Sequence, residues 1–317
     1  MKLAWMGAAL AQLIAGCAAA KAPPAAPHLI PGYYGPARQP DGNTIMFEGP
    51  DGLVVVDTGR YPDHQAKILA YARERGKPVT AIVNTHWHLD HSGGNAEIRA
   101  VYPQAKLYAS NAVAGALEGF LARSLERGRA RLADPAASEA EKADIRLGVE
   151  AIEDRRDLLP DVPVTGPTTL ALGKRRLELH VAPRAATEGD VWIYDPATRT
   201  LVAGDLVVIP APFFDTACAD GWRKALDEIA RMPFATLIPG HGAPMGRADF
   251  EVYRTAYGKL VDCAQSEAVK SACIEGWLSD AAKFLPAEQD RTEARELLDY
   301  YLDNVLRSPA KRKEFCG

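Results

Sequence analysis

Apolar and polar positions along the chain fall into blocks of changing period. Residues 43–48 and 53–57 read as two strands joined by a turn of Gly49, Pro50, Asp51 and Gly52. The apolar run of Leu53, Val54, Val55 and Val56 stops at Asp57-Thr58-Gly59. Residues 62–75 carry a helical pattern closed by Gly76. Residues 79–84 form a further buried strand, 95–101 a short helix and 106–109 a strand. From about 111 to 160 the chain is rich in Ala, Glu, Arg and Leu, with helical spacing at Leu117, Phe120, Leu121 and Leu125. This region predicts two helices, one on each side of Asp134-Pro135. Strands return at 168–172 and 176–181, a hairpin across Gly173, and at 191–194 and 200–203. A helix over 222–232, a short strand over 235–238 and a helical run from Asp249 complete the order.

Such an order suits an α/β fold in which two sheets pack face to face with helices outside. It divides the chain into a leader (1–17), a linker (18–27), a main domain (28–248) with its helical insertion, and a helical extension (249–317) treated as an appendage.

The first residues change the picture of where the protein works. Lys2 precedes an apolar stretch, 3–15, too short for a comfortable membrane span. It ends in Leu13-Ile14-Ala15-Gly16-Cys17, which resembles the lipobox of bacterial lipoproteins. That resemblance implies an exported, periplasmic or outer-membrane-anchored protein acylated on Cys17; an ordinary signal-peptidase cut after Ala20 is the alternative. Either route exports the chain. Cys218, Cys263, Cys273 and Cys316 then read as two disulfides, with Cys263–Cys273 the first expectation because its loop is short, and Cys218–Cys316 following. The 317 residues, 47% hydrophobic and 25% charged with net charge -4, exclude disorder and give no basic stripe for nucleic acid.

Chemistry concentrates in His86-Trp87-His88-Leu89-Asp90-His91, directly after a buried strand. In extended chain, residues two apart point the same way, so His86 and His88 can converge on one cation. A turn after them can aim Asp90 and His91 at a neighbouring point. Imidazole and carboxylate suit zinc, with iron or manganese as alternatives. Only seven histidines are present, and three fall within these six residues. His64 reads as a surface or capping residue at a helix start, His28 as lying at the edge of the linker, Trp87 as loop packing, and 210–214 as loop or core packing with cleft lining the alternative.

H-x-H-x-D-H followed by Ser92-Gly93-Gly94-Asn95 resembles the signature of the metallo-β-lactamase superfamily. Asp57-Thr58-Gly59, Gly204-Asp205 and Pro239-Gly240-His241-Gly242 resemble further motifs of that family in the same order. The resemblance implies an αββα sandwich and two metal sites. His86 and His88 would serve the first, and Asp90, His91 and His241 the second. Asp205 would lie between them, and Asp57 behind the ligands. The family's third histidine for the first site opens an H-T-x-G-D motif; here Ala186 precedes Thr187-Glu188-Gly189-Asp190. Alanine cannot bind metal, so one tight zinc and a weak or absent second are expected, with Glu188 or His180 as substitutes.

The implied activity is hydrolysis of a small ester, lactone, lactam or similar acyl substrate by a metal-activated water, with Asp90 orienting that water. A catalytically degenerate periplasmic metal-binding protein and a di-iron oxidoreductase are the rival readings.

Overall fold

The computed structural model describes residues 25–33 and 38–317. The leader, Cys17 and most of the linker lie outside them. Among the described residues two six-stranded sheets stack face to face. The first runs, in spatial order, β1 (His28–Ile30), β2 (Thr44–Glu48), β3 (Leu53–Val56), β4 (Val79–Val83), β5 (Lys106–Ala109) and β6 (Val162–Pro163). The second contains β7 (Thr168–Leu172), β8 (Arg175–Arg184), β9 (Glu188–Asp195), β10 (Thr200–Val208), β11 (Thr236–His241) and β12 (Met245–Gly246), also in sequential order across the sheet. β3, β4, β5 and β6 are parallel neighbours, as are β10 and β11; the other pairings are antiparallel.

Side-chain alternation explains the layers. Ile45, Phe47, Val54 and Val56 face inward against Leu170, Leu177, Leu179, Val191 and Ile193 of the other sheet. Their neighbours Met46, Leu53 and Val55 face outward, under Ile68 and Leu69 of α1 (Pro62–Arg75) and Ile98 of α3 (Asn95–Val101). Both faces of β3 are therefore covered, and an unbroken apolar run is what such a strand requires. A short helix, α2 (Leu89–Ser92), lies between β4 and α3. The crossovers through α1 and α3 set β3, β4 and β5 side by side with their C-terminal ends at one edge, where ligands gather in sheets of this kind.

The insertion holds three helices where two were expected: α4 (Val113–Glu118), α5 (Phe120–Ala133) and α6 (Glu139–Glu153). Gly119, with φ -108° and ψ -99°, breaks the first helical run in two. Ser138 caps α6 by accepting the Glu141 N–H at 3.2 Å.

Residues 249–317 are not an appendage in packing. With α7 (Ala219–Ala230), the helices α8 (Arg247–Ala264), α9 (Lys270–Asp280) and α10 (Glu288–Tyr301) form the outer layer over the second sheet. Trp222, Tyr253, Tyr257, Trp277 and Leu298 share one buried cluster with Trp192, Leu201 and Leu206. The Trp277 indole donates to the Pro210 carbonyl at 3.0 Å, and the Val208 N–H donates to the Tyr253 hydroxyl at 3.2 Å. A final helix, α11 (Pro309–Cys316), is joined to the loop after β10 by the Cys218–Cys316 disulfide, and Cys263 is joined to Cys273. Both pairings agree with the expectation. No helix among the described residues is long and apolar enough to cross a membrane.

Candidate metal centre

Three chain segments deliver the candidate ligands to one edge of the sandwich. Residues 86–91 follow β4, Asp205 lies within β10 and His241 ends β11, while Asp57, directly after β3, stands behind the ligands. β10 continues past its expected end at Ala203 through an irregular register at Gly204. Gly204 takes φ +54°, and a Cβ there would meet Thr85 at 2.6 Å. A Cβ on Gly240 would fall 2.0 Å from Asp205 Oδ1. The two glycines of the Gly204-Asp205 and Pro239-Gly240-His241-Gly242 motifs are thus what lets β10, β11 and the histidine loop approach so closely.

The donors fall into two abutting groups, His86 with His88 and Asp205, and Asp90 with His91 and His241; within each, one atom per residue lies within 4.8 Å of the others. His91 Nε2 stands 3.2 Å from His241 Nε2, 3.5 Å from Asp90 Oδ2 and 3.1 Å from Asp205 Oδ1. Asp205 Oδ2 lies 3.6 Å from His86 Nε2, so this carboxylate sits between the groups.

Asp57 dictates which ring nitrogens face the centre. Its Oδ1 accepts the Thr85 N–H at 2.8 Å, and its Oδ2 accepts the Thr85 hydroxyl at 2.7 Å. Oδ2 also accepts the His91 Nδ1–H at 2.8 Å. Having donated its proton, the Thr85 hydroxyl accepts from His86 Nδ1 at 3.1 Å. Both histidines are left with Nε2 lone pairs aimed inward. His86 Nε2 and both Asp205 oxygens are buried with no hydrogen-bond partner.

Lone pairs crowded together at 3.1–3.6 Å need a cation. Ligands on one tetrahedral zinc, with bonds near 2.0–2.1 Å, have donor atoms about 3.3 Å apart, which matches this spacing. The residues present therefore fit a divalent metal. Electrostatics agree. Burial holds His86 well below the ordinary imidazole range, a neutral ligand form. Burial raises Asp205, but His91, His241 and His86 outweigh it and keep the carboxylate ionised. Burial likewise opposes charge on His91, but Asp205, Asp90 and Asp57 overcome this and raise it well above the ordinary imidazole range, so the site favours positive charge at this point. A divalent ion held by His91, Asp90, His241 and Asp205 would supply that positive charge.

A cleft of about 560 Å³ opens beside the centre. His88, Asp90 and Arg60 reach its floor, with Arg60 Nη2 3.7 Å from Asp90 Oδ1. Leu89, Phe120, Leu121, Phe213 and Leu297 give it an apolar wall, to which the insertion and the C-terminal helices both contribute. Asp215, accepting the Tyr301 hydroxyl at 2.8 Å, and Glu293 supply polar points.

Other expectations fare differently. Glu188 is exposed, pairs across the hairpin with Arg184, and is not brought to the first group. His180 stacks on Trp192 at 3.9 Å, also outside it. His64 is buried rather than superficial, 2.8 Å from Thr44 Oγ1 and 3.5 Å from Asp41 Oδ2. Trp87 packs the loop, edge-on to His88 and against Phe120. Phe214 is core, whereas its neighbour Phe213 lines the cleft. Thr85, Arg60 and Thr216 were missed, being single polar residues without a motif of their own.

Comparison with known proteins accords with this geometry. The family model for the metallo-beta-lactamase superfamily matches residues 37–241. A linear primary-alkylsulfatase of Pseudomonas sp. (strain ATCC 19151) is 28% identical over 234 residues, 65% of this chain and 42% of that protein. A hydroxyacylglutathione hydrolase of Polaromonas sp. (strain JS666 / ATCC BAA-500) is 46% identical over 180 residues, 56% of this chain and 54% of that one. The chain thus spans about half the length of these relatives. Among solved structures, the stereoselective inverting sec-alkylsulfatase Pisa1 from Pseudomonas sp. superposes with a TM-score of 0.51 at 20% identity, covering 85% of this chain and 49% of that one. At that identity the likeness concerns the fold. With the family model matched over well over half of its length, the chain belongs to the metallo-beta-lactamase superfamily.

Proposed function

We propose that the protein is an exported, metal-dependent hydrolase that cleaves an ester-type bond in a small substrate carrying an apolar group. The observation that carries this is the pair of donor groups meeting at Asp205, whose buried oxygens face only the imidazoles of His86, His91 and His241, beside a cleft with an apolar wall. A cation held by these groups supplies Lewis-acid activation of water and of the scissile bond. Zinc suits the mixed nitrogen and oxygen donors best, with iron or manganese as alternatives. Asp90 points one oxygen at His241 and the other at Arg60. Burial raises its pKa, but His91, His241 and Arg60 hold it well below the usual range. It is therefore an ionised acceptor that orients a water. Arg60 faces the cleft as a counter-charge for an anionic substrate group. The names of the relatives, a linear primary-alkylsulfatase and a hydroxyacylglutathione hydrolase, support hydrolytic cleavage of a small substrate. The two disulfides support an oxidising compartment, and with it export; a lipid on Cys17 rests on the lipobox resemblance of residues 13–17 alone.

The test is turnover of an alkyl ester, a thioester, a chromogenic lactam and an alkyl sulfate by metal-stripped protein before and after metal is restored. Metal-restored cleavage of at least one ester, lost in Asp90→Asn, is expected. Metal uptake with no turnover of any of them would favour the degenerate scaffold, the reading that Ala186 recommends.

A further inference from the structure

Two of the three histidines in the 86–91 segment owe their orientation to Asp57, but His88 does not. Its Nε2 lies 3.2 Å from the hydroxyl of Thr216, a residue 128 positions away. That hydroxyl donates its only proton to the carbonyl of Ala186, at 3.3 Å. With the proton committed, Oγ1 can only accept, so His88 Nε2 must carry hydrogen and the Nδ1 lone pair is left for a ligand. Thr216 is 8% exposed and Ala186 2%, so bulk water has little access to either partner. The segment is also braced: the Cys218 N–H donates to the Ala185 carbonyl at 2.9 Å, and Cys218 is bonded to Cys316. The loop after β10 is thereby held alongside residues 185–187, where the family's third histidine is replaced by alanine.

We propose that Thr216 is a positioning residue for the first metal site, fixing the His88 tautomer so that His86, His88 and Asp205 bind a cation without a third imidazole. Ala186 contributes through its backbone, as the acceptor that orients the Thr216 hydroxyl. This rests on the metal-binding reading of the site and adds to it a residue that no motif marks. Glu188 and His180 are not needed for it.

The experiment is zinc titration of the metal-free full chain against a competing chromophoric chelator, for wild type, Thr216→Val and Thr216→Ser, with thermal melts of each. Valine keeps the shape and removes the hydroxyl; serine keeps the hydroxyl. Losses of a group that orients a metal ligand weaken binding by about 10–100-fold. The second, weaker zinc equivalent should weaken by that factor in Thr216→Val and return to the wild-type value in Thr216→Ser. The tight equivalent should be unchanged in both. A lower melting temperature in Thr216→Val with an unchanged second equivalent would mean a purely structural role and overturn the proposal. Equal weakening in valine and serine variants would overturn it too, since the hydroxyl would not be the cause. If wild type takes up a single equivalent at saturating zinc, the proposal fails and the one-metal reading stands; if it takes up none, both fail.

Discussion

Replacing Asp57 with asparagine probes the two histidines that share its carboxylate. The backbone there has φ +59°, a left-handed conformation that asparagine tolerates better than most residues. Shape and backbone are therefore nearly preserved. What changes is that a carboxylate accepting three hydrogen bonds, from the Thr85 N–H, the Thr85 hydroxyl and His91 Nδ1, becomes an amide. If the amide oxygen keeps the Thr85 N–H, the NH2 group faces both remaining donors. If the amide flips, the NH2 group faces the Thr85 N–H. Either way a donor meets a donor in a buried place. Relief comes from turning the Thr85 hydroxyl and moving the His91 proton to Nε2, where it points at His241 Nε2 only 3.2 Å away. A lost hydrogen bond to a charged group is worth about 1.5–3 kcal/mol. A 10–100-fold loss of metal affinity corresponds to about 1.4–2.7 kcal/mol, the same range. Asp57→Asn should therefore release metal about 10–100 times more readily in chelator competition, with the helical signal in circular dichroism retained. Wild-type metal affinity in this variant would refute the claim that Asp57 sets the histidine tautomers.

Three further outcomes follow from the same geometry. A Cβ on Gly42 would lie 2.4 Å from His91 Cε1, and that ring is pinned by Asp57 and fully buried, so Gly42→Ala should cost about 1–3 kcal/mol and reduce metal retention; wild-type melting and metal content would count against it. Burial pushes Asp41 up to about 6, so folding takes up a proton there and stability falls as pH rises from about 4 to 6; burial lowers His64 to about 4, so stability rises from about 4 to 6.5. The two oppose each other in wild type, and Asp41→Asn should uncover the His64 rise, up to about 3 kcal/mol in urea melts under chelator; pH curves of identical slope would contradict this. In the cleft, Leu297→Ala should lower kcat/KM for longer-chain substrates by about 5–10-fold while sparing short ones, and a uniform loss would remove the apolar wall from the account.

The parts of the fold that were legible in the sequence are those whose pattern is imposed locally. α1 and α3 match their predicted limits, and β2 and β3 differ from theirs only at one end, because helix start and stop residues and covered apolar runs are properties of the segment itself. The short strands β1, β6 and β12 were not legible. Two or three residues carry no period, and they are strands only through the partners they pair with. The apolar pattern of β10 ends before Gly204, yet the strand runs on through a register shift that carries Asp205 inward. The extension looked separable because shared burial of Trp277, Tyr257 and Trp222 is a tertiary fact with no local signature. At the site, the histidines and aspartates were found through motif spacing. His64 and Thr216 were misjudged or missed, since each depends on a partner from another segment, as with the 128 positions between His88 and Thr216.

The group formed by Asp90, His91 and His241 is expected to hold a metal tightly. Metal content per chain after exhaustive dialysis, in wild type, His241→Ala and His86→Ala, tests it most directly. Wild type should retain close to one metal, His241→Ala little, and His86→Ala near the wild-type content. Undiminished metal in His241→Ala, or its loss in His86→Ala alone, would contradict it.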